Sequence, residues 1–171
     1  TAADTSKFHA ALNNAVAGDR VTATATGATY NDKNVAGASR INYTGVALRG
    51  ADAGNYTLAA TTAQGAGTIT KRALTLDVAA QSKIYDGTTA ADTSKFRAAL
   101  AGAIAGDNVT AAVTGAAYND KNVAAANRID YTGVALAGAD AANYTLAATT
   151  AQGAGKITPK ELNLALTGGA R

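Results

Sequence analysis

Apolar and polar residues alternate along much of the chain, the pattern of strands that bury one face. Val109, Ala111 and Val113 share one side of such a run, and Thr110 and Thr114 share the other. The same alternation occurs 88 residues earlier, at positions 21–26. These runs predict short strands with an apolar face towards a core and threonines towards water.

Further strands are predicted at positions 74–78, 129–131, 134–136 and 144–146, where apolar residues alternate again. The alternation changes phase at Gly133, which predicts a bulge at that glycine. Segments rich in Gly, Asn and Asp separate the runs, at positions 85–88, 106–108, 118–122 and 138–143. These residue types tolerate positive φ or bond to their own backbone, so the segments are predicted to be turns.

One segment in each half of the chain has helical features. At positions 92–102, Asp92 and Thr93 are N-cap candidates, Gly102 is a good helix terminator, and Phe96 and Leu100 have helical spacing. We therefore expect a mainly β fold with one short helix per repeat. A β-grasp-like arrangement is favoured, and an immunoglobulin-like β-sandwich is the alternative.

An internal duplication organises the chain. Positions 1–8 return at positions 89–96, and 56 of the first 70 positions are identical at this shift, without a gap. The expected organisation is two tandem small domains in an elongated array: residues 1–72, lacking an opening strand, then residues 73–159. Residues 160–171 then start a further repeat or form a closing strand. The alternative places that strand at the end of each unit, giving residues 1–80 and 89–171.

Composition excludes several classes of protein and predicts thin cores. Leu, Ile, Val and Phe make up about 16% of the residues, under the ~20% level that often signals disorder in chains of high net charge, and alanine supplies more than half of the 47% hydrophobic content. With no cysteine, disulfides and thiolate chemistry are excluded. No apolar run approaches 18 residues, so no membrane-spanning segment is expected. The net charge of +3 is spread without basic blocks, which argues against nucleic-acid binding.

The polar residues give weak support for a reactive site. His9 is the only histidine, and Arg97 replaces it in the second copy, so a general base is not expected there. The acidic residues lie mostly in turns, where Asp caps and closes the backbone. Asp120 and Asp140 are low-ranking calcium candidates, because calcium needs several converging oxygens. We expect no catalytic residue and no cofactor.

The asparagines and tyrosines allow two readings each. Four N-x-T triplets are glycosylation acceptors or simple turn caps, with the second reading favoured; they begin at Asn42, Asn55, Asn108 and Asn143. The tyrosines could stack on a sugar or a base. Because they lie in phase with apolar neighbours, packing in the core with a hydrogen-bonded hydroxyl is the stronger prediction; the pairs are Tyr43 and Tyr131, and Tyr56 and Tyr144.

Five motifs occur in order in the second copy: KIYDGTTAA at 83–91, GD-x-V at 106–109, YNDKNVA at 118–124, GADA-x-NYTL at 138–146 and G-x-IT at 155–158. This set resembles the YDG-type repeat of very large secreted bacterial adhesins of the filamentous-haemagglutinin kind. The resemblance covers positions 73–158 and, in the first copy, positions 1–70. The helix-like segment departs from the pattern. The motif residues carried over have a structural role: Tyr85, Asp86, Gly87, Tyr118, Asp120, Asn122, Asn143 and Tyr144.

The resemblance implies a structural stalk or spacer that projects a distal adhesive region from a Gram-negative cell surface. It implies an extracellular, secreted protein with roles in cell adhesion and biofilms, and it brings no catalytic residues. The expected partners are neighbouring repeats of the same chain, with a host-surface glycan or protein as a second candidate, and with no nucleic acid and no membrane insertion. The alternative is that each repeat is a weak, multivalent binding module for host glycans or matrix proteins.

Overall fold

The structure is a computed structural model that describes residues 1–167, and it consists mainly of short strands. The chain divides into two compact units, one spanning Thr1–Lys71 and the other starting at Arg72. The last four positions of the predicted segment 160–171 lie outside the described residues. None of the helices in the described part of the chain is long and apolar enough to cross a membrane.

The first unit contains five strands. In chain order they are β1 (Thr22–Thr24), β2 (Gly27–Tyr30), β3 (Arg40–Thr44), β4 (Ala47–Arg49) and β5 (Thr62–Ala66). Strand β3 lies between β2 and β5 in an antiparallel sheet, while β1 and β4 form a separate antiparallel pair. The core between them is small, with Ile41, Tyr43 and Val46 buried. Phe8 adds a tilted aromatic contact at 4.8 Å from the Tyr43 ring.

The second unit contains nine strands within its described residues, 72–167. They are β6 (Arg72–Val78), β7 (Gln81–Ile84), β8 (Ala98–Ala101), β9 (Thr110–Ala112), β10 (Gly115–Tyr118), β11 (Arg128–Thr132), β12 (Ala135–Ala137), β13 (Tyr144–Leu146) and β14 (Thr150–Thr158). They form a four-stranded sheet in the order β10-β11-β14-β7, a three-stranded sheet in the order β13-β6-β8, and the pair β9-β12. Four of these strands have no equivalent strand in the first unit: β6, β7, and the two strands that pair with β6, which are β8 and β13.

Few large side chains fill the core of the second unit. Ile129 and Ile157 are fully buried, Tyr131 is 1% exposed, and the Phe96 ring meets the Tyr131 ring edge-on at 4.9 Å. Alanines complete the interior, including the buried Ala126. Since alanine contributes little apolar area, these few large residues supply most of the hydrophobic stabilisation.

The predicted short helix is wrong. Thr93–Lys95 forms a single 3₁₀ turn, in which the Asp92 carboxylate accepts a 2.9 Å hydrogen bond from the Ser94 backbone N–H. The chain then extends at Phe96, and the next residues form β8, antiparallel to β6. Hydrogen bonds from β6 satisfy the backbone of this segment in its extended form. The β-grasp-like arrangement, which depends on the helix, is wrong with it, whereas the mainly β prediction holds in part.

The phase change predicted at Gly133 moves the chain from one sheet to another. Strand β11 ends at Thr132, Gly133 adopts a φ of +61°, and β12 then pairs with β9 in a different sheet. Val134, directly after the glycine, is 3% exposed. The change of phase was therefore predicted correctly, but it separates two strands and is not a bulge within one strand.

Candidate functional site

The YDG tripeptide forms a tight turn directly after β7. The Asp86 carboxylate accepts hydrogen bonds from the Thr88 backbone N–H and hydroxyl, both at 2.9 Å. Gly87 has a φ of +80°, which glycine adopts without strain. An aspartate that binds the backbone two residues ahead, followed by a glycine, is a turn former in its own right. The motif thus dictates its own local structure.

Lys83 closes this turn from the end of β7. Its ammonium group donates to the Asp86 carboxylate at 2.8 Å and to the carbonyls of Thr88 and Ala90, both at 2.9 Å. The same nitrogen lies 5.3 Å from the centre of the Tyr118 ring, a cation–π distance. We call the group Lys83, Asp86, Thr88 and Tyr118 the YDG clamp. An ammonium group has three N–H donors, and those of Lys83 are engaged within the clamp.

The clamp alters the proton affinities of its members. The ammonium of Lys83, together with the Thr88 donors, lowers the pKa of Asp86 to about 2. Burial raises the pKa of the Tyr118 hydroxyl, and the negative charge of Asp86 raises it further. A carboxylate that is held ionised and already bonded is a poor general acid or base near neutral pH. The electrostatics therefore favour a structural role for this turn.

Tyr85 and Tyr118 connect the turn to the sheet. The Tyr85 backbone N–H donates to the Thr158 carbonyl at 2.8 Å, and the Tyr118 N–H donates to the Thr89 carbonyl at 2.7 Å. Tyr118 is 4% exposed, whereas Tyr85 is 36% exposed. A groove of about 290 Å³ lies beside the clamp and reaches Lys95. The charged groups of the clamp that face this groove already bind each other.

The YNDKN segment is a loop closed by its own side chains. The Asp120 carboxylate accepts from the Asn122 N–H at 2.7 Å. The side-chain amide oxygen (Oδ1) of Asn119 accepts from the backbone N–H groups of Asn127 and Arg128, at 3.1 and 2.9 Å. Asn31 does the same in the first unit, accepting from positions 39 and 40. The predicted residues Asp120 and Asn122 therefore fold the loop.

The GADA-x-NYTL segment is fixed to the loop that precedes β9. Asp140 accepts from the Asn108 N–H at 2.8 Å, and the Asn143 N–H donates to the Asp140 carbonyl at 3.0 Å. The Tyr144 hydroxyl donates to the Asp107 carboxylate at 2.6 Å and accepts from the Ile104 N–H at 3.0 Å. The predicted residues Asn143 and Tyr144 are thus placed by backbone and carboxylate contacts, in a part of the fold separate from the clamp.

The two calcium candidates each form a hydrogen bond in their own loop and do not share a site. The Asp120 carboxylate accepts from the Asn122 N–H, and the Asp140 carboxylate accepts from the Asn108 N–H. Within residues 1–167, no three side chains of the His, Cys, Asp and Glu types come close enough together to hold a metal ion. The described geometry therefore offers no converging oxygen cage of the kind calcium requires.

The prediction that the tyrosines pack in the core with bonded hydroxyls is confirmed for Tyr131 and Tyr144, which are buried, whereas Tyr56 has a bonded hydroxyl but is only half-buried. Tyr131 accepts from the Gln81 side chain at 3.0 Å, and Tyr56 and Tyr144 each donate to an aspartate. His9 and its counterpart Arg97 are both exposed. Their difference therefore changes only the surface.

Two contributors were missed by the sequence reasoning. Lys83 lies three residues before Asp86, within reach of the turn that the aspartate and glycine predict, and that spacing could have identified it. Asn119 is the residue before Asp120, but its hydrogen bonds reach across the loop to positions 127 and 128. No local spacing signals such bonds, so Asn119 could not have been found from the pattern.

Neither a curated protein nor a solved structure shows significant similarity to this chain. A family described as the YDG domain matches it twice, over residues 1–63 and 70–151. The second match includes the clamp and both closed loops, and the first covers the corresponding loops of the first unit. The chain therefore belongs to the YDG domain family.

Proposed function

We propose that the chain is a structural spacer of a bacterial surface adhesin of the filamentous-haemagglutinin kind, projecting a distal binding region from the cell. In this proposal the protein is secreted, lies at the surface of a Gram-negative cell and serves cell adhesion and biofilm formation. It is not an enzyme, and its partners are neighbouring repeats.

The proposal rests chiefly on where the two copies differ. Fifty-six of the 70 paired positions are identical, and 14 differ. Twelve of the 14 are exposed in both units, and the other two, at 25/113 and 42/130, are half-buried. The 14 differences therefore lie outside the buried core, and the buried positions carry the same residues in both units. A spacer needs a constant interior and no particular surface, whereas a binding face needs constant surface residues.

The shared hydrogen bonds support the same conclusion. Tyr56 donates to Asp19 in the first unit as Tyr144 does to Asp107 in the second, both at 2.6 Å. Asp52 accepts from the Arg20 N–H at 2.8 Å, as Asp140 does from Asn108. Asp19, Asp52 and Tyr56, like their counterparts in the second unit, thus hold loops together.

The competing hypothesis is a repeated weak binding module for host glycans or matrix proteins. It requires a surface that both units present, and such a surface has to exclude the exposed positions that differ between the copies, such as His9 (Arg97 in the second copy) and Arg49 (Ala137 in the second copy). The test is a glycan and matrix-protein array probed with the whole chain displayed in many copies on beads. The spacer proposal expects no binding above bare beads. Specific binding that Arg49→Ala or His9→Arg weakens would contradict it.

A further inference from the structure

Asp86 and Gly87 form the only Asp–Gly pair in the chain, which has no Asn–Gly pair. An aspartate can isomerise when the backbone nitrogen of the next residue attacks its side-chain carboxyl carbon. Glycine hinders this attack least of all residues, because it has no Cβ beside its own nitrogen. The YDG motif therefore places a chemically reactive pair in the turn after β7.

The isomerisation proceeds in two steps and needs no reactant other than water. The Gly87 nitrogen bonds to the side-chain carbon of Asp86, and the hydroxyl of the neutral carboxyl leaves with the amide proton as water, which closes a succinimide ring. Water then adds to one ring carbonyl and breaks its bond to the nitrogen. Opening at the main-chain carbonyl leaves isoaspartate, with the chain continuing through the side-chain carbon. Because a hydroxyl has to leave, the neutral acid reacts and the ionised carboxylate does so poorly.

Packing does not protect this pair from the reaction. The Asp86 side chain is 53% exposed. A Cβ at Gly87 would have open space around it, so no neighbouring side chain or backbone covers that side of the glycine. Any protection has to come from the hydrogen bonds and the charge around the carboxylate.

Three donors converge on one oxygen of the Asp86 carboxylate. The Lys83 ammonium lies 2.8 Å from Oδ1, and the backbone N–H and hydroxyl of Thr88 both lie 2.9 Å from it. The ammonium is itself fixed by the carbonyls of Thr88 and Ala90, and the Lys83 side chain is only 15% exposed. These bonds restrain rotation of the carboxyl group and favour its ionised form, which is the poorly reactive one.

We propose that Asp86 is an isoaspartate-forming site and that Lys83 keeps it in the normal linkage. The YDG clamp then has a second role besides shaping the turn. It slows a covalent change that would lengthen the backbone by one carbon and displace the carboxylate from Lys83 and Thr88. Because the clamp lowers the pKa of Asp86 from 3.8 to about 2, the neutral acid is about tenfold scarcer, or more, than in a free aspartate near neutral pH.

Incubation in water enriched in heavy oxygen tests the role of Lys83, because ring opening inserts one solvent oxygen at position 86. The whole chain, Lys83→Met and Lys95→Met would be compared at about pH 5 by mass spectrometry with electron-transfer fragmentation, which distinguishes isoaspartate from aspartate. Lys95 is the control, since it is exposed and lines the same groove. Lys83→Met should form isoaspartate about tenfold faster or more, and Lys95→Met at the native rate. Equal rates in Lys83→Met and the native chain would overturn the proposal.

A second measurement needs no variant and compares the native chain folded and in guanidinium chloride. The unfolded chain should isomerise faster at every pH, and its rate should level off below about pH 3.8. The rate of the folded chain should keep rising to about pH 3, because its Asp86 is still mostly ionised there. A rigid turn that left the charge of Asp86 unaffected would slow the reaction by the same factor at every pH. Equal rates, or parallel pH profiles, would overturn the proposal.

Discussion

The Tyr144 hydroxyl donates a 2.6 Å hydrogen bond to the Asp107 carboxylate, which joins β13 to the loop before β9. The first unit repeats this contact between Tyr56 and Asp19 at the same distance, although the strand equivalent to β13 does not form there. The contact is therefore a property of each copy and does not depend on the sheet around it.

Replacing Tyr144 with phenylalanine should destabilise the second unit, since it removes one donated and one accepted hydrogen bond. The expected fall in its Tm is about 4–8 °C, measured by calorimetry of the whole chain. Tyr56→Phe is the matched control and should lower the transition of the first unit instead. If both variants shift the same transition, the two contacts do not belong to separate units.

The same contact predicts a dependence on alkaline pH. The hydrogen bond to Asp107 raises the pKa of Tyr144 above its ordinary value of 10. A raised folded-state pKa means that the stabilisation is complete below pH 10 and is lost as the pH rises through the folded value. The Tm difference between the native chain and Tyr144→Phe should therefore shrink above pH 10. A difference that stays constant to higher pH would contradict this.

Asp86→Asn should weaken the YDG clamp by removing the ion pair with Lys83. Because the folded pKa of Asp86 is lowered from 3.8 to about 2, the stabilisation is complete above pH 3.8 and is lost as the pH falls towards about 2. The native chain should have the higher Tm at pH 7, and the difference should close across that acid interval. Asp120→Asn is the control without a lysine partner and should lower the Tm less at pH 7. A difference that persists at pH 2 would contradict the assignment.

Phe96→Ala should cost about 3–5 kcal/mol, because it removes a buried ring from a core with few large residues. Phe96 is 6% exposed and packs edge-on against Tyr131. Phe8→Ala is the matched variant, and its loss should be smaller, because Phe8 is only half-buried. Denaturant unfolding followed by tyrosine fluorescence would measure both losses. Equal losses would show that burial does not set the cost.

Gly133→Ala should destabilise the second unit more than Gly106→Ala. Both glycines have positive φ, so either alanine costs about 1–2 kcal/mol in backbone strain. A Cβ at Gly133 would also overlap the Thr114 side chain, whereas a Cβ at Gly106 has open space around it. Free energies of unfolding from denaturant titration would compare the two. Equal losses would mean that the contact with Thr114 relaxes without cost.

The strands and turns were largely predictable because their patterns are local. The alternation at positions 109–114 and the turn residues of the YNDKN segment each act over a few residues, and Asp120 closes its loop with Asn122 alone. The role of Asp86 as a turn former could be predicted from the sequence in the same way. The clamp as a whole could not, because the contact of Lys83 with Tyr118 spans 35 positions.

The predicted helix forms in neither copy, and in the second copy a distant strand turns part of the segment into a strand. Residues 98–101 form β8 where β6 supplies hydrogen bonds, but their counterparts at 10–13 form neither helix nor strand. The two segments share Leu100 and Leu12 and most of their other residues. Nearly the same sequence thus takes two conformations, and the difference comes from pairing that no local pattern can encode.

The most direct test of the spacer account is small-angle scattering of chains with added repeats. One and two further copies of residues 73–160 would be inserted after position 160. The account predicts that the longest dimension rises by the same increment with each added copy. A longest dimension that rises only as a compact globule of the same mass requires would contradict it.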